Sequence, residues 1–384
     1  MDDAATQRRF TEAYESGEVD SDELTTALTR YDSLDADGKA EFDDLLARNG
    51  DDAADFAGRT DSDTFDAVVS PCGARSAPSL GRAGSLRTDR YHSVATPPST
   101  LAQSGGSCPD LPDDVEDDLQ NALVNVDGDL DADSVDDVRR SINELDRDAQ
   151  DSATNLIESE GTDGVSVTND ATDLSDGSDS VLTDEDVNSL IESYELYSRN
   201  NDAPNSRSAR DIQNDINQLD AQNVEGLQSA VRGGFGTRTN MKGLDGEVDI
   251  ATDLMDNNDA VTVRELSVDG DDMTADIPDQ GRRESEVDIE LETSDGRTIG
   301  VESKNRDYND VTFDQLAESD IDDLTNKFNV ISRNRDEMYV VSRTDNPRDN
   351  EIISAAIDKA NFPDGFDPQS DLKFISPDEL SRIE

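Results

Sequence analysis

The sequence has no tryptophan, one histidine, two cysteines and six lysines among its 384 residues. The lone histidine, His92, excludes metal sites built from several imidazoles, and it nearly excludes serine or cysteine nucleophiles that depend on a histidine base. His92 also stands in a Ser/Pro-rich stretch, where we expect a solvated loop. Cys72 and Cys108 are too few for a disulfide framework, and without companion ligands they do not predict a zinc site.

Long apolar runs are missing as well. Nowhere does the sequence approach the roughly 18 consecutive apolar residues that a membrane span needs. The N-terminus also lacks the basic and apolar regions of a secretory signal. These absences predict a soluble, cytoplasmic protein that does not contact membranes.

Acidic residues are in large excess. The chain carries 92 Asp and Glu against 33 Lys and Arg, which gives a formal net charge of -59. Because the acids interleave with regular apolar periods, we interpret them as a halophilic, haloarchaeal-type surface adapted to molar salt rather than as disorder. Screening to roughly 3 Å in 1 M salt lets a local site outweigh distant charge. The acidity therefore argues neither for nor against a nucleic-acid substrate.

Residues 1–70 predict helices, because their apolar residues recur at helical spacing. Three segments share one pattern, which is an amphipathic stretch, a Leu-Asp pair and a second amphipathic stretch ending at glycine. We interpret them as degenerate copies of a helical hairpin in which each Asp caps the second helix. The pairs are Leu34-Asp35, Leu145-Asp146 and Leu219-Asp220. Repeated hairpins usually build a scaffold or a partner-binding surface.

Two segments have the composition of linkers. Residues 71–110 are rich in Ser, Pro and Arg, and we interpret them as a flexible linker, with a basic nucleic-acid tether or an inserted foreign segment as alternatives. An acidic Ser/Thr/Gly stretch at 159–180 is a second predicted linker within a helical repeat region at 111–232. Glycines at 233–236 mark the boundary to a different domain, which we place at 240–384.

The C-terminal region contains the first predicted strands. Its apolar patterns predict the order α-β-β-β-α-β-α-β, which implies an α/β domain with a mixed central sheet flanked by helices, preceded by a mainly α-helical region. The predicted elements are a helix at 244–255, a strand at 261–268, the hairpin described next, a helix at 313–331, a strand at 338–342, a helix at 352–360 and a strand at 372–375.

Residues 286–306 predict a β-hairpin, because apolar and polar residues alternate on both sides of an Asp-Gly turn. Keeping the apolar residues of both strands on one face requires a three-residue turn with Gly296 in the left-handed conformation. In that register Asp288 lies opposite Glu302, and Lys304 is within diagonal reach on the same face. Two carboxylates and an ammonium on one patch are typical of a divalent-metal site with a charge-stabilising lysine.

This order of elements resembles the PD-(D/E)XK nuclease superfamily, the restriction-endonuclease-like fold that includes archaeal Holliday-junction resolvases. The matching residues are Glu247 in the first helix, Asp288 in the second strand and Glu302-Ser303-Lys304 in the third. The resemblance covers residues 240–376 and nothing upstream. Val287 stands where the name of the superfamily has proline, and Ser303 replaces the commoner apolar residue between Glu and Lys.

The resemblance implies an enzyme, a Mg²⁺-dependent (or Mn²⁺-dependent) nuclease that hydrolyses phosphodiester bonds. Asp288 and Glu302 would be catalytic metal ligands. Lys304 would position the attacking water and stabilise the developing negative charge, and Glu247 would be an accessory ligand. Arg282, Arg283 and Arg306 surround the hairpin, where they either contact DNA phosphates or balance nearby acids.

A solvated acidic face is the alternative for these carboxylates, since any single acid is uninformative in so acidic a chain. Like charges directly across a hairpin are destabilising unless something neutralises them. One of the six lysines also lies beside this pair. Both observations favour a functional site.

Three functional hypotheses remain open. The first is a metal-dependent DNA endonuclease whose N-terminal helices bind a protein partner or target the enzyme. The second is a catalytically inactive nuclease fold that acts as a nucleic-acid or protein interaction module. The third is a nuclease toxin or host-conflict effector, which the order of a variable leader and a C-terminal nuclease favours. A homodimer is an open alternative to a monomer in each case.

Overall fold

The structure is a computed structural model that describes residues 4–69, 111–126, 130–176, 180–199, 207–278, 280–304, 318–342 and 351–383. The chain divides into two compact units, Met1–Asn143 and Glu144–Glu384. The predicted linker at 71–110 lies outside the described residues. Within those residues, no helix is both long and apolar enough to cross a membrane.

The described part of the first unit is helical, which confirms the helices predicted for the N-terminus. Its core contains the ring of Phe42, whose centroid lies 6.1 Å from those of Phe10 and Tyr31 and 5.2 Å from that of Phe65. The helices are α1 (Ala4–Ser16), α2 (Ser21–Ser33), α3 (Ala36–Asn49), α4 (Asp51–Arg59), α5 (Ser62–Val69), α6 (Asp113–Val124) and α7 (Ala132–Glu144).

The second unit combines helices with a sheet. Its helices are α8 (Arg147–Glu160), α9 (Thr162–Asp173), α10 (Asp184–Ser198), α11 (Ala209–Ala221), α12 (Leu227–Gly233), α13 (Arg238–Asn257), α14 (Glu318–Asn334) and α15 (Glu351–Lys359). Its strands are β1 (Val261–Val268), β2 (Thr274–Ile277), β3 (Gly281–Glu284), β4 (Val287–Thr293), β5 (Thr298–Lys304), β6 (Glu337–Ser342) and β7 (Leu372–Ile375).

Two of the three predicted Leu-Asp caps are confirmed. The side chain of Asp35 accepts a hydrogen bond from the Gly38 amide at 2.9 Å and begins α3. In the same way Asp146 accepts one from the Ala149 amide at 3.0 Å and begins α8. The third prediction is wrong, because Asp220 lies inside α11 and α12 begins after Gly226, which adopts a left-handed conformation.

The prediction of a linker at 159–180 is also wrong for most of that range, because α8 continues to Glu160 and α9 begins at Thr162. Gly161, with φ of 63°, makes the turn between the two helices. A Cβ on Gly164 would lie 2.6 Å from the carbonyl oxygen of Leu156. The glycines that suggested flexibility therefore let α8 and α9 pack closely, since no side chain separates their backbones.

The compact units do not follow the domain boundary that we predicted near residue 233. The reason is that α12 is joined to the sheet. The amide of Leu266 in β1 donates a hydrogen bond to the carbonyl of Glu225 at 2.9 Å, just before α12. A Cβ on Gly226 would lie 1.9 Å from the carbonyl oxygen of Leu266, so only glycine fits there.

An ion pair ties α12 to α10 as well. Arg232 donates to both carboxylate oxygens of Asp186 at 2.7 and 2.9 Å. Hydrogen bonds from the Arg232 side chain and from Thr183 lower the pKa of Asp186 to about 2. The same carboxylate closes a capping box with Thr183 at the start of α10. The helices that precede residue 233 are therefore part of the unit that contains the sheet.

The central sheet is mixed and has the strand order β1-β4-β5-β6-β7. The β1–β4 and β4–β5 pairs are antiparallel, whereas β5–β6 and β6–β7 are parallel. This result confirms a helix-rich N-terminus followed by an α/β region, with the strands in the predicted order. The sequence interpretation missed β2 and β3, which form a separate two-stranded sheet.

The hairpin formed by β4 and β5 has the predicted register. Ile289 pairs with Val301 and Leu291 pairs with Ile299. The Thr293 amide donates to the carbonyl of Arg297 at 3.0 Å, which leaves three residues in the turn. Gly296 has φ of 86°, so it takes the left-handed conformation that such a turn requires.

Helix α14 packs against the sheet through a row of buried apolar side chains. Phe328 and Ile331 are fully buried in a core shared with β6 and α15. A Cβ on Gly300 would lie 2.9 Å from Cγ2 of Ile331, which shows how closely α14 approaches β5. This approach brings the polar face of α14 to the carboxylates of the hairpin.

Candidate active site

Asp288 and Glu302 come from neighbouring strands of the hairpin. Extending the Ile289–Val301 register by one residue places them opposite each other, and directly opposed residues point to the same face. Glu302 is fully buried, and the Asp288 side chain is 17% exposed. The backbone amide of Ser303 donates a 2.6 Å hydrogen bond to Oδ2 of Asp288, which fixes that carboxylate beside β5.

The ammonium of Lys327, on α14, joins the two carboxylates. Its Nζ donates a hydrogen bond to Oε1 of Glu302 and lies 3.6 Å from Oδ1 of Asp288. Burial by itself would lower the pKa of Lys327, but the carboxylates of Glu302 and Asp288 outweigh that effect and raise it. The two acids therefore share one cation, and that cation belongs to the protein.

Glu247, on α13, is buried next to this group. Its Oε1 accepts hydrogen bonds from the amide of Ser267 at 3.1 Å and from its hydroxyl at 3.0 Å. Burial raises the pKa of Glu247 well above its ordinary value, and the charge of Asp288 raises it further. The predicted accessory acid thus lies close enough to Asp288 for their charges to interact.

Ser267 holds Glu247 from an unusual backbone conformation. Its φ is 48°, in the left-handed region that a residue other than glycine seldom adopts. The β1–β4 register places Ser267 between the pairs Leu266–Ile289 and Val268–Val287, so it lies opposite Asp288. Strained backbone of this kind clusters at functional sites and costs of order 1–3 kcal/mol.

Glu286, immediately before β4, is a fourth acid of the group. Partial burial raises the pKa of its carboxyl; Lys327 opposes this shift, and the charges of Asp288 and Glu302 add to it. We refer to Glu247, Glu286, Asp288 and Glu302 as the acid cluster. Among the described side chains, the charges of Glu302, Asp288 and Glu286 act on the Lys327 ammonium, and Glu247 interacts with Asp288.

The other predicted site residues are described only in part. Lys304 ends β5 and its backbone is in register with Ser342 of β6, but its side chain lies outside the described residues, as does Arg306. Arg282 and Arg283 are exposed on β3. That strand is tied to α14 by a 2.8 Å hydrogen bond from the Asn326 side chain to the carbonyl of Glu284. The helix that contains Lys327 is therefore also bonded to the strand that contains two of the predicted arginines.

The donor set of the acid cluster fits Mg²⁺ or Mn²⁺ better than softer metals. Among the described side chains, no three His, Cys, Asp or Glu groups form a ready-made metal site. Mg²⁺, however, is usually held by one or two carboxylates and keeps several waters. Asp288 and Glu302 already converge on one positive charge, which is the arrangement that such an ion requires.

Three residues of the site were not predicted from the sequence, namely Lys327, Glu286 and Ser267. Lys327 had a usable signal, since lysine is rare in this chain and the same rarity drew attention to Lys304. Glu286 begins the predicted hairpin stretch but offered no feature that separates it from other acids. Nothing in the sequence marks the backbone conformation of Ser267.

Comparisons of the chain with protein-family models, with curated proteins and with solved structures found no significant match.

Proposed function

We propose that the C-terminal region is a Mg²⁺-dependent (or Mn²⁺-dependent) endonuclease of the PD-(D/E)XK type that hydrolyses DNA phosphodiester bonds. One observation carries the proposal. Carboxylates from two adjacent strands, Asp288 on β4 and Glu302 on β5, converge on one cationic group. A buried carboxylate pair is costly without a positive charge between its members. A bound divalent ion would provide that charge and give the pair a chemical use.

In this proposal the protein's side chains bind the metal ion, orient the attacking water and stabilise the negative charge on the phosphate. Asp288 and Glu302 hold the ion, and Ser303 keeps Asp288 in place through its amide. The bound ion supplies Lewis-acid activation of a phosphoryl oxygen and of a water molecule. Lys304, which ends the same strand as Glu302, positions that water and stabilises negative charge on the phosphate. Glu247 supports the ion as an accessory ligand.

DNA binding in this proposal depends on local groups rather than on the net charge of -59. Arg282, Arg283 and Arg306 contact phosphates. In molar salt the acids of distant surfaces are screened within a few ångströms, roughly 3 Å at 1 M. The N-terminal helices bind a protein partner or target the nuclease.

Cleavage assays in molar KCl test the proposal. Plasmid DNA, DNA oligonucleotides and RNA oligonucleotides are incubated with Mg²⁺ or Mn²⁺ and wild type, Asp288→Asn, Lys304→Ala or Glu292→Gln. Glu292 is an acid of the same hairpin that pairs with Arg264 and serves as the matched control. We expect wild type and Glu292→Gln to cut DNA, and the two site variants to lose activity by about 10²-fold or more. Equal cleavage by all four proteins, or no cleavage by any folded protein, would overturn the proposal.

One observation favours a second candidate function, a catalytically inactive nuclease fold that binds nucleic acid or protein. Lys327 already balances part of the charge of Glu302 and Asp288 without a metal. A fold that has lost its metal could retain such an ion pair for stability. This candidate predicts DNA or protein binding that is independent of Mg²⁺, with no cleavage of any substrate in the same assays.

A further inference from the structure

The ammonium of Lys327 lies beside both carboxylates, that of Asp288 and that of Glu302. It contacts Oε1 of Glu302 and lies 3.6 Å from Oδ1 of Asp288. These are the two carboxylates that would hold a divalent ion. Direct coordination of Mg²⁺ needs carboxylate oxygens at about 2.1 Å, so an ammonium bonded to the same oxygens competes with the ion for them.

The backbone of Lys327 is held in place, so only its side chain can move away. Phe328, next to it on α14, is fully buried, and so is Ile331 one turn further on. The Lys327 side chain itself is 24% exposed. A lysine side chain is a flexible four-carbon chain, and its ammonium is readily hydrated. Because part of the side chain already lies at the surface, a change in its torsion angles is enough to move the ammonium outward.

The acid cluster also offers the displaced ammonium a second partner. The charge of Glu286 acts on Lys327 in addition to the charges of Glu302 and Asp288. Glu286 lies immediately before β4 and is more exposed than the other three acids of the cluster. A lysine that leaves the two buried oxygens can thus remain paired at the rim of the cluster, which reduces the free energy needed to displace it.

We propose that Lys327 is a built-in competitor of the metal, an intramolecular counter-ion that a divalent cation must displace from Asp288 and Glu302. The inference rests on the proposed metal site and adds a regulatory property to it. Without metal, Lys327 balances part of the charge of Glu302 and Asp288 and stabilises the site. When a divalent cation binds, Lys327 moves outward, and the strength of its ion pairs sets the metal concentration at which the site fills.

Chemical labelling of lysines tests the displacement in the unmodified protein. The full-length chain is treated briefly with an amine-reactive acetylating ester in molar KCl, with and without Mn²⁺, and each lysine is quantified by mass spectrometry. The six lysines can be resolved individually, and Lys359, which is paired with Asp322 at an exposed site, is the internal control. We expect saturating Mn²⁺ to increase labelling of Lys327 several-fold and to leave Lys359 unchanged. Unchanged or reduced labelling of Lys327 in metal-saturated protein would overturn the inference.

Calorimetric titration with Mn²⁺ gives a second and independent readout. We compare wild type, Lys327→Met, Lys327→Arg and the control Lys359→Met in molar KCl, where long-range charge effects are screened. Removal of the competitor should lower the dissociation constant for Mn²⁺ by about tenfold in Lys327→Met. Lys327→Arg and Lys359→Met should stay close to wild type. A dissociation constant that is unchanged or higher in folded Lys327→Met would contradict the inference.

These measurements separate this inference from the proposed nuclease function. If Mn²⁺ binds and releases Lys327 but no substrate is cut, the nuclease proposal fails and the inference stands. If cleavage depends on metal but Lys327 responds to it in neither experiment, the inference fails alone. If no variant binds Mn²⁺, both fail.

Discussion

The ammonium of Lys327 on α14 donates a hydrogen bond to the buried carboxylate of Glu302 on β5, which lies 25 residues earlier in the chain. This contact links the helix to the strand at the point where the hairpin carries its two opposed acids. Removal of one partner of a buried ion pair is strongly destabilising, because the other charge then remains buried without compensation. The stability of this region should therefore depend on Lys327.

Lys327→Met should lower the free energy of unfolding of the metal-free protein by about 3–5 kcal/mol. Lys359→Met removes a lysine from an exposed pair and should cost no more than about 1 kcal/mol. Urea unfolding in molar KCl with a chelator measures both changes. Addition of Mn²⁺ should restore part of the stability of Lys327→Met, because the ion can replace the lost charge. Equal losses in the two variants would contradict this prediction.

Glu247→Gln should raise the stability of the metal-free protein at neutral pH. The pKa of Glu247 is well above its ordinary value because of burial and the charge of Asp288. Its ionised form therefore destabilises the folded state as the pH rises above the ordinary pKa. Glutamine keeps the oxygen that accepts from Ser267 and removes the charge, so the free energy of unfolding should increase.

The matched variant for this test is Glu292→Gln. Glu292 lies on β4, where its exposed side chain pairs with Arg264, and its replacement should change stability by less than about 1 kcal/mol. Urea midpoints of the two variants, measured with a chelator present, give the comparison. A Glu247→Gln protein that is less stable than Glu292→Gln would show that the Glu247 carboxylate is stabilising in the absence of metal.

Gly226→Ala tests whether α12 packs against β1 as part of the unit that contains the sheet. Gly226 and Gly236 both have positive φ, 76° and 81°. A Cβ on Gly226 would collide with the carbonyl of Leu266, whereas a Cβ on Gly236 meets no atom within 4 Å. Both alanines suffer left-handed strain of about 1–2 kcal/mol, and Gly226→Ala should cost at least about 2 kcal/mol more because of the clash. Equal thermal midpoints would refute the packing of α12 on β1.

The ion pair between Asp186 and Arg232 should stabilise the protein only above acidic pH. The pKa of Asp186 falls from 3.8 to about 2 on folding, mainly through its hydrogen bond with Arg232. Because the folded value is the lower one, the stabilisation is present above about pH 4 and is lost as the pH falls toward 2. Solvent screening reduces its size, because the Arg232 side chain is half exposed.

Urea midpoints of wild type and Asp186→Asn at several pH values measure this effect. The difference between the two proteins should be largest near neutral pH and should shrink steadily below about pH 4. A difference that does not depend on pH would mean that Asp186 acts through its capping box with Thr183 rather than through its charge.

The hairpin could be predicted from the sequence because its information is local. Alternation of apolar residues set the face of each strand, and one glycine set the turn, so the opposition of Asp288 and Glu302 followed. Lys327 could not be paired with them in this way. It stands on a helix next to Phe328, and only the tertiary packing of α14 on β5 brings it to Glu302.

The errors in the helical region have a related cause. The stretch near Gly161 has the composition of a linker, yet its small residues serve close packing of α8 and α9. Short strands were missed for a different reason. β2 and β3 have four residues each, too few for a period-2 pattern to stand out. Composition alone does not distinguish a flexible glycine from one that allows two backbones to touch.

The central claim is that Asp288 and Glu302 form a metal-dependent site for phosphodiester hydrolysis. The most direct measurement is the single-turnover rate of plasmid nicking in molar KCl at saturating Mg²⁺, for Glu302→Gln and Glu292→Gln. Both substitutions remove one charge from the same hairpin. We predict that Glu292→Gln nicks DNA at the wild-type rate, that Glu302→Gln is slower by about 10²-fold or more, and that a chelator stops both. Equal rates for the two variants, or nicking that persists in the chelator, would contradict the claim.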